Sequence, residues 1–245
     1  MPAEGYEYRV QRTEQSWAGE RTYRYLDIIS VAFVAVLIIS NIVAIKALRL
    51  SDFLDLDIDG GTLLFPISYI FGDILVEVYG YARSRRVIWL AFGGNVIAAL
   101  TFSLVGVLPA APGWELQDEF IAILGQTPRI VAASLFAFLC GSFTNAYIMS
   151  KMKIMTRGKW LWTRTIGSTI GAQMIDSLLF QILAFGGLWP VALLLRVSLW
   201  NFTVKVAYEA LATPLTYAIV GKLKHAEQED FYDHRTNFTP FTLRM

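Results

Sequence analysis

PISYIFGDILVEVYGYARSRR, Pro66 to Arg86, is the stretch on which the reading of this chain turns. Most of it is apolar enough for a membrane interior, yet Asp73 and Glu77 fall in its middle and Arg83, Arg85 and Arg86 close it. Residues four apart share a helix face, so the two carboxylates point the same way, with Tyr69 and Gly80 alongside. A charge at the bilayer centre costs about 2.5–3.5 kcal/mol on insertion scales, and such residues face a bundle interior or a water-filled cavity. The stretch therefore predicts a helix enclosed by other helices, with its acids directed inward.

The rest of the chain supplies such neighbours. Of its 245 residues 55% are hydrophobic and only 17% charged, with a mean hydropathy of +0.48. Soluble domains carry about 25% charged residues. A helix needs about 20 mainly apolar residues to cross the hydrocarbon, and six segments qualify: Leu26–Leu48, Thr62–Gly80, Val87–Pro109, Arg129–Met149, Thr165–Phe185 and Asn201–Val220. Backbone amides must be satisfied internally in lipid. The expected fold is thus all-α, a polytopic membrane protein built as a six-transmembrane-helix bundle. A shorter apolar piece, Leu188–Trp200, carries Arg196 and is too short to favour a seventh crossing. It can extend the sixth helix, lie in the interface or re-enter the membrane.

Lys and Arg set orientation. Arg83, Arg85 and Arg86 follow the second span, and Lys151, Lys153, Arg157, Lys159 and Arg164 follow the fourth. Both terminal segments, mixed in charge, carry Lys and Arg too: Arg9, Arg12, Arg21 and Arg24 at one end and Lys222, Lys224, Arg235 and Arg244 at the other. The opposite loops are acidic: Asp52, Asp55, Asp57 and Asp59 in one, Glu115, Asp118 and Glu119 in the other. Both termini are expected in the cytoplasm. Residues 1–25 then form a polar extension, 26–221 the transmembrane domain and 222–245 a cytoplasmic tail.

Several functions are disfavoured by residue type. Cys140 is the lone cysteine, so no disulfide forms within the chain. His225 and His234 both lie in the polar tail, which argues against a histidine metal site or a Ser-His triad. No metal or cofactor is expected. A net charge of +1, with no basic patch interleaved with aromatics, gives no reason to expect nucleic acid. DLDIDGG, Asp55 to Gly61, imitates the start of a calcium loop, but the acid required at the twelfth position falls on Pro66. GWELQDEFIAILG, from Gly113 to Gly125, reads as an amphipathic outer helix or loop.

Polar residues within the spans mark the candidate site. Asn41 and Lys46 interrupt the first, and Asn95 sits beside two glycines in the third. Gly141, Ser142 and Asn145 share a face of the fourth. The fifth carries a stripe of Ser168, Thr169, Gln173, Asp176 and Gln181, and its Gly167 and Gly171 are spaced for close helix approach. Asn201, Lys205 and Glu209 recur every four residues in the sixth. Lys205 and Glu209 can form a structural ion pair within that helix. Even so, Asp73, Glu77, Asp176 and Glu209 outnumber Lys46 and Lys205, so some acids are protonated or a ligand or cation supplies charge.

Four blocks carry a resemblance to a known family: FPISYIFGDILVEVYGYARSRR, RTIGSTIGAQMIDSLLFQ, YEALATPLTYAIVGKLK and YDHRTNFTPF. From about Asn41 to the end, the chain resembles the queuosine precursor transporters, also described as vitamin uptake transporters. The resemblance implies an inner-membrane importer of 7-cyano-7-deazaguanine or 7-aminomethyl-7-deazaguanine, precursors for tRNA modification. It also implies a bundle similar to the substrate-binding subunits of vitamin importers. Asp73, Glu77 and Asp176 match the family pattern.

The chemistry agrees with a deazapurine substrate. A guanine-like edge presents two parallel N–H donors that a carboxylate accepts bidentately, and an amide such as Gln173 or Asn145 can read the carbonyl and ring nitrogen. Tyr69, Phe143 or Tyr147 can stack on the ring. The expected substrate-binding residues are Asp73, Glu77, Asn145, Gln173 and Asp176, with Glu77 or Asp176 on the base edge and Asp73 supporting. Asn41, Asn95, Lys205 and Glu209 are expected to support or couple. Two other readings remain: an uptake carrier or binding subunit for another vitamin-like heterocycle, and an intramembrane enzyme with paired carboxylates, which lacks a nucleophile–base motif. An isolated carrier driven by an ion gradient, a homo-oligomer and a subunit energised by an ATPase all fit the sequence.

Overall fold

The chain runs through α1 (Leu26–Val43), a hairpin of β1 (Ala47–Ser51) and β2 (Leu56–Asp59), and a 3₁₀ turn at Gly60–Leu63. It continues through α2 (Phe65–Tyr79), α3 (Tyr81–Val107), α4 (Gln117–Leu124), α5 (Pro128–Met155), α6 (Leu161–Phe185) and α7 (Val191–Glu227). This is a computed structural model, and it describes residues 23–51, 56–125 and 128–242. Most of the N-terminal extension, and Asp52 and Asp55 of the acidic loop, lie outside the described residues.

Five helical segments are long and apolar enough to cross a membrane: α1, α3, the one ending in α5, α6 and α7. The second expected span is the exception. α2 has 15 residues, which at 1.5 Å per residue is about 22 Å, short of the ~30 Å hydrocarbon core. Its place in the bundle explains why a helix this short and carrying two acids is tolerated. From Asp73 to Tyr79 every residue is buried, whichever face it occupies, including Asp73, Glu77 and Val78. The other helices, not lipid, are its solvent. Pro66 sits in its first turn, where the missing N–H costs no helical bond.

The all-α expectation gains one addition, an antiparallel hairpin pairing Ala47 with Asp59 and Leu48 with Ile58. The segment Gly113–Gly125 yields the short helix α4, which buries none of its residues. The apolar piece before the sixth span extends that helix: α7 runs unbroken from Val191 through Trp200 to Glu227, so it also continues past residue 221. Its 37 residues span about 55 Å. Pro214 lies inside it and removes one backbone N–H. Just before the proline, Thr213 Oγ1 donates to the Glu209 carbonyl at 2.8 Å.

Outward faces of the long helices expose Ile28, Val31, Leu90, Ile97, Leu100 and Leu211, as hydrocarbon requires. Inward faces place Phe33 and Leu37 of α1, Ala91 of α3, and Ala146 and Met149 of α5 in one core with α2. α5 and α6 approach closely because small residues stand where they meet. A Cβ on Gly141 would lie 3.1 Å from Asp176 Cβ, and one on Gly171 would collide with Ile148 Cδ1. The small-residue spacing read from α6 therefore serves close helix packing.

At one end of the bundle the chain folds back on itself after Glu227. Asp233 accepts hydrogen bonds from the Tyr81 backbone N–H (3.0 Å) and from Ser150 Oγ (2.6 Å). It thereby places an anion at the N-terminus of α3. Arg85, only 1% exposed, donates to the carbonyls of Asn237 (2.7 Å) and Thr239 (2.8 Å), and Trp89 Nε1 donates to that of Pro240 (2.8 Å). Glu227 takes the Tyr25 backbone N–H (2.8 Å) and the Tyr79 hydroxyl (2.9 Å), tying the start of α1 to the same end.

Candidate functional site

A cavity of about 630 Å³ opens between α1, α2, α3, α5, α6 and α7. This is within the range of roughly 300–1,000 Å³ typical of small-molecule sites. Its apolar walls come from Phe33, Leu37, Ile88, Phe138, Phe180 and Val204. Its polar groups converge from several helices, among them Asn41 from α1, Tyr69 from α2, Asn145 from α5, Gln173 and Asp176 from α6, and Lys205 from α7. Asn95 of α3 also lines it, accepting from Asn41 Nδ2 at 2.6 Å and donating to the Ala91 carbonyl at 2.9 Å.

Three lining residues carry polar atoms without partners among the described residues. Asn145 Oδ1 and Gln173 Oε1 are buried without a hydrogen-bond partner among the described residues, as is the Ser177 hydroxyl on the same wall. Asp176 and Lys205 form an ion pair across α6 and α7, Nζ to Oδ2 at 2.6 Å. Their side chains are 20% and 18% exposed, so the pair faces the cavity rather than the packed core. The expected pairing of Lys205 with Glu209 along α7 is thus replaced by one across helices. The Lys205 amine reaches a carboxylate on the facing helix, a partner that spacing along one helix cannot reveal.

The two acids of α2 do not line this cavity; Gly72, Leu75 and Val76 of that helix do. Glu77, 0% exposed, is enclosed by cations at the tail end of the bundle. Arg164 holds it with two parallel bonds, Lys224 lies 2.6 Å from Oε1, and Lys153 lies 3.6 Å away. Asp230 completes the cluster at 2.6 Å from Lys153 and 2.8 Å from Lys224. Asp73, 1% exposed, accepts from Asn145 Nδ2 at 3.0 Å through one oxygen. Its other oxygen has no donor among the described residues, and the Glu209 carboxyl of α7 lies within hydrogen-bonding reach.

The aromatic candidates separate as well. Tyr69 lines the cavity and meets Gln173. Phe143 is packed against Trp89, ring centroids 5.8 Å apart, and Tyr147 turns outward against Phe238. Tyr208 and Trp200 are cavity aromatics that sequence reading did not single out. They lie one helical turn on either side of Val204, each next to a member of the polar stripe of α7 (Asn201 and Glu209). Gln181 and Ser168, read as part of the α6 stripe, are buried away from the cavity.

Among the described residues no cluster of His, Cys, Asp and Glu could hold a metal ion. What the arrangement can do is bind. A cavity with apolar walls, unsatisfied amide oxygens on its lining residues and one partly exposed ion pair suits a small polar heterocycle carrying N–H groups.

Comparisons with known proteins converge on one family. The family model described as "Putative vitamin uptake transporter" matches residues 59–219, more than half of the chain. A "Probable queuosine precursor transporter" of Bacillus subtilis (strain 168) is 29% identical over 171 residues, covering 69% of this chain and 74% of that protein. A protein of the same description from Haemophilus influenzae is 23% identical over 125 residues, 51% of each. The "Queuosine precursor transporter" of Escherichia coli (strain K12) is 22% identical over 125 residues, 51% of this chain and 54% of that protein. The chain thus spans about half the length of the latter two. No solved structure matches it.

Proposed function

Because the chain belongs to the vitamin uptake transporter family, whose members are transporters rather than enzymes, we propose that it imports deazaguanine precursors of queuosine. It is a multi-pass protein of the bacterial inner membrane. The cargo in this reading is 7-cyano-7-deazaguanine or 7-aminomethyl-7-deazaguanine, carried through a six-span bundle whose two ends both face the cytoplasm. The basic residues Arg85, Lys153, Arg164 and Lys224 gather at the tail end of the bundle, which supports that orientation.

One observation carries the substrate assignment: residues that line the cavity hold acceptors without donors among the described residues. Asn145 Oδ1 and Gln173 Oε1 are idle, and Asp176 adds a carboxylate. A deazaguanine supplies the complement, with N–H groups at the ring nitrogen, the exocyclic amine and the pyrrole. In the proposed pose Asp176 accepts from the paired N–H groups of the guanine edge. Lys205 donates to the ring carbonyl, Asn145 and Gln173 take the remaining donors, and Tyr69 covers a ring face. Asp73 supports through its bond to Asn145. The enclosure of Glu77 by three cations favours Asp176 over Glu77 on the base edge.

The test is restoration of queuosine in tRNA. Cells lacking precursor synthesis and their own importer would express this chain and be fed each deazaguanine at low concentration. Modification appearing with one precursor establishes import and names the cargo. No modification with either, despite confirmed membrane insertion, overturns the assignment and moves the search to other vitamin-like heterocycles.

A further inference from the structure

Asp73 and Glu209 stand apart from Glu77 and Asp176. Glu77 is held by Arg164, Lys153 and Lys224, and Asp176 by Lys205. Asp73 on α2 and Glu209 on α7 instead face each other within hydrogen-bonding reach, at 1% and 0% exposure. Asp73 Oδ2 and both Glu209 oxygens receive no donor among the described residues.

Among the described residues no cation is shown paired with either of them. On α2, Tyr69 stands one turn before Asp73 and Glu77 one turn after it. α1 carries only Asp27, in its first turn. From α3, Arg85 is engaged by the tail carbonyls. α5 contributes Asn145 to Asp73 and sends Lys153 to Glu77. On α6, Arg164 grips Glu77 and Asp176 takes Lys205; on α7, Lys224 also goes to Glu77. Two carboxylates side by side, out of water and without a cation, cannot both be ionised. A hydrogen bond between them requires that one carry a proton.

The pair is also wired to the cavity. Asn145, a residue of the cavity lining, donates to Asp73 with its amide nitrogen, and its buried oxygen has no partner among the described residues. A substrate that packs against Asn145 would constrain the amide that donates to Asp73. Glu209 sits one helical turn from Lys205, which holds Asp176 in the same cavity.

We propose that Asp73 and Glu209 together hold one exchangeable proton and form the coupling site through which a proton gradient drives import. In each cycle one proton enters from the outer side, occupies a carboxyl oxygen of the pair and leaves to the cytoplasm with the substrate; no bond of the substrate is broken. The inference rests on the import reading above and extends it to the energy source.

The experiment uses the purified full chain in phosphatidylglycerol–phosphatidylcholine vesicles with radiolabelled 7-cyano-7-deazaguanine and its 7-aminomethyl relative. An acid-outside gradient of about one pH unit should raise steady-state accumulation about tenfold per proton carried, and a protonophore should abolish the rise. Glu209→Gln should retain exchange of labelled for unlabelled substrate yet lose the gradient-driven accumulation. Exchange without any response to the gradient in the unaltered protein, or full accumulation by Glu209→Gln, overturns the proposal. Absence of exchange in the unaltered protein counts against the import reading instead. The coupling site is then judged by infrared spectroscopy at neutral pH. A protonated-carboxyl band that disappears in Glu209→Gln and in Asp73→Asn supports the shared proton, and a spectrum unaffected by both substitutions overturns it.

Discussion

Arg164 grips Glu77 end to end: Nε donates to Oε2 at 2.9 Å and Nη2 to Oε1 at 2.7 Å, with both side chains at most 1% exposed. The planar fork of the guanidinium matches the carboxylate, a pairing strong enough to fix the start of α6 against the end of α2. Lys153 and Lys224 add their charges to the same carboxylate, and Asp230 of the tail balances one of them. Glu77 is therefore the anion around which four chain segments assemble.

Removing that anion should damage assembly first. Glu77→Gln keeps the shape but leaves three cations facing a neutral amide. Breaking a buried pair by removing one partner costs about 3–5 kcal/mol. Thermal denaturation in detergent should show a large loss of stability for Glu77→Gln and a much smaller one for Asp176→Asn, whose pair borders the cavity. Equal stability of Glu77→Gln and the unaltered protein would show that the cluster is balanced without it.

The turn between α2 and α3 yields a second expectation. Gly80 has φ +83° and ψ 170°, and a Cβ there would run into the Phe231 ring. That backbone region is essentially reserved for glycine, at a cost of about 1–3 kcal/mol for other residues. Gly80→Ala should destabilise the protein and loosen the tail. Adding Phe231→Ala relieves the collision but not the backbone strain, so the double variant should recover only part of the loss. Full recovery would mean that the ring, and not the backbone, dictates glycine here.

Much of this arrangement was legible in the sequence, and the remainder was not for a definable reason. Five of the expected spans became long apolar helices, because hydropathy over about 20 residues is a strong signal in lipid. The polar residues Asn145, Gln173, Asp176 and Lys205 did converge, since each is costly in hydrocarbon and so marks an inward face. Pairing between helices was hidden. Spacing can suggest Lys205 with Glu209, but only the packing of α6 on α7 decides that Lys205 takes Asp176. Arg85 and Arg164 read as orientation signals, yet both are 1% exposed and bind the tail and Glu77. Basic residues near span ends can serve orientation and assembly together.

Asp233 tests the folded-back tail. Its carboxylate takes the Tyr81 backbone N–H and the Ser150 and Thr236 hydroxyls. Asp233→Ala leaves a buried N–H at the start of α3 without its acceptor, a loss of about 1–3 kcal/mol. Limited proteolysis should then cut residues 228–242 that are protected in the unaltered protein. Undiminished protection would indicate that Arg85 and Trp89, which hold the carbonyls of Asn237, Thr239 and Pro240, suffice to dock the tail.

The pair of Asp176 and Lys205 separates stability from recognition. Either single reversal, Asp176→Lys or Lys205→Asp, places two like charges face to face between α6 and α7 and should lower the melting temperature. The double swap restores an ion pair between the same two helices, and contacting residues of this kind couple by about 0.5–3 kcal/mol. Stability should therefore return in large part. Uptake should not, because the swap moves the carboxylate from the α6 wall to the α7 wall and removes the acceptor from the proposed base edge. A swapped protein that folds but does not transport would separate the structural role of the pair from its substrate contact. A swapped protein that transports normally would show that the cavity requires only the pair's neutrality, and base recognition would then pass to Asn145 and Gln173.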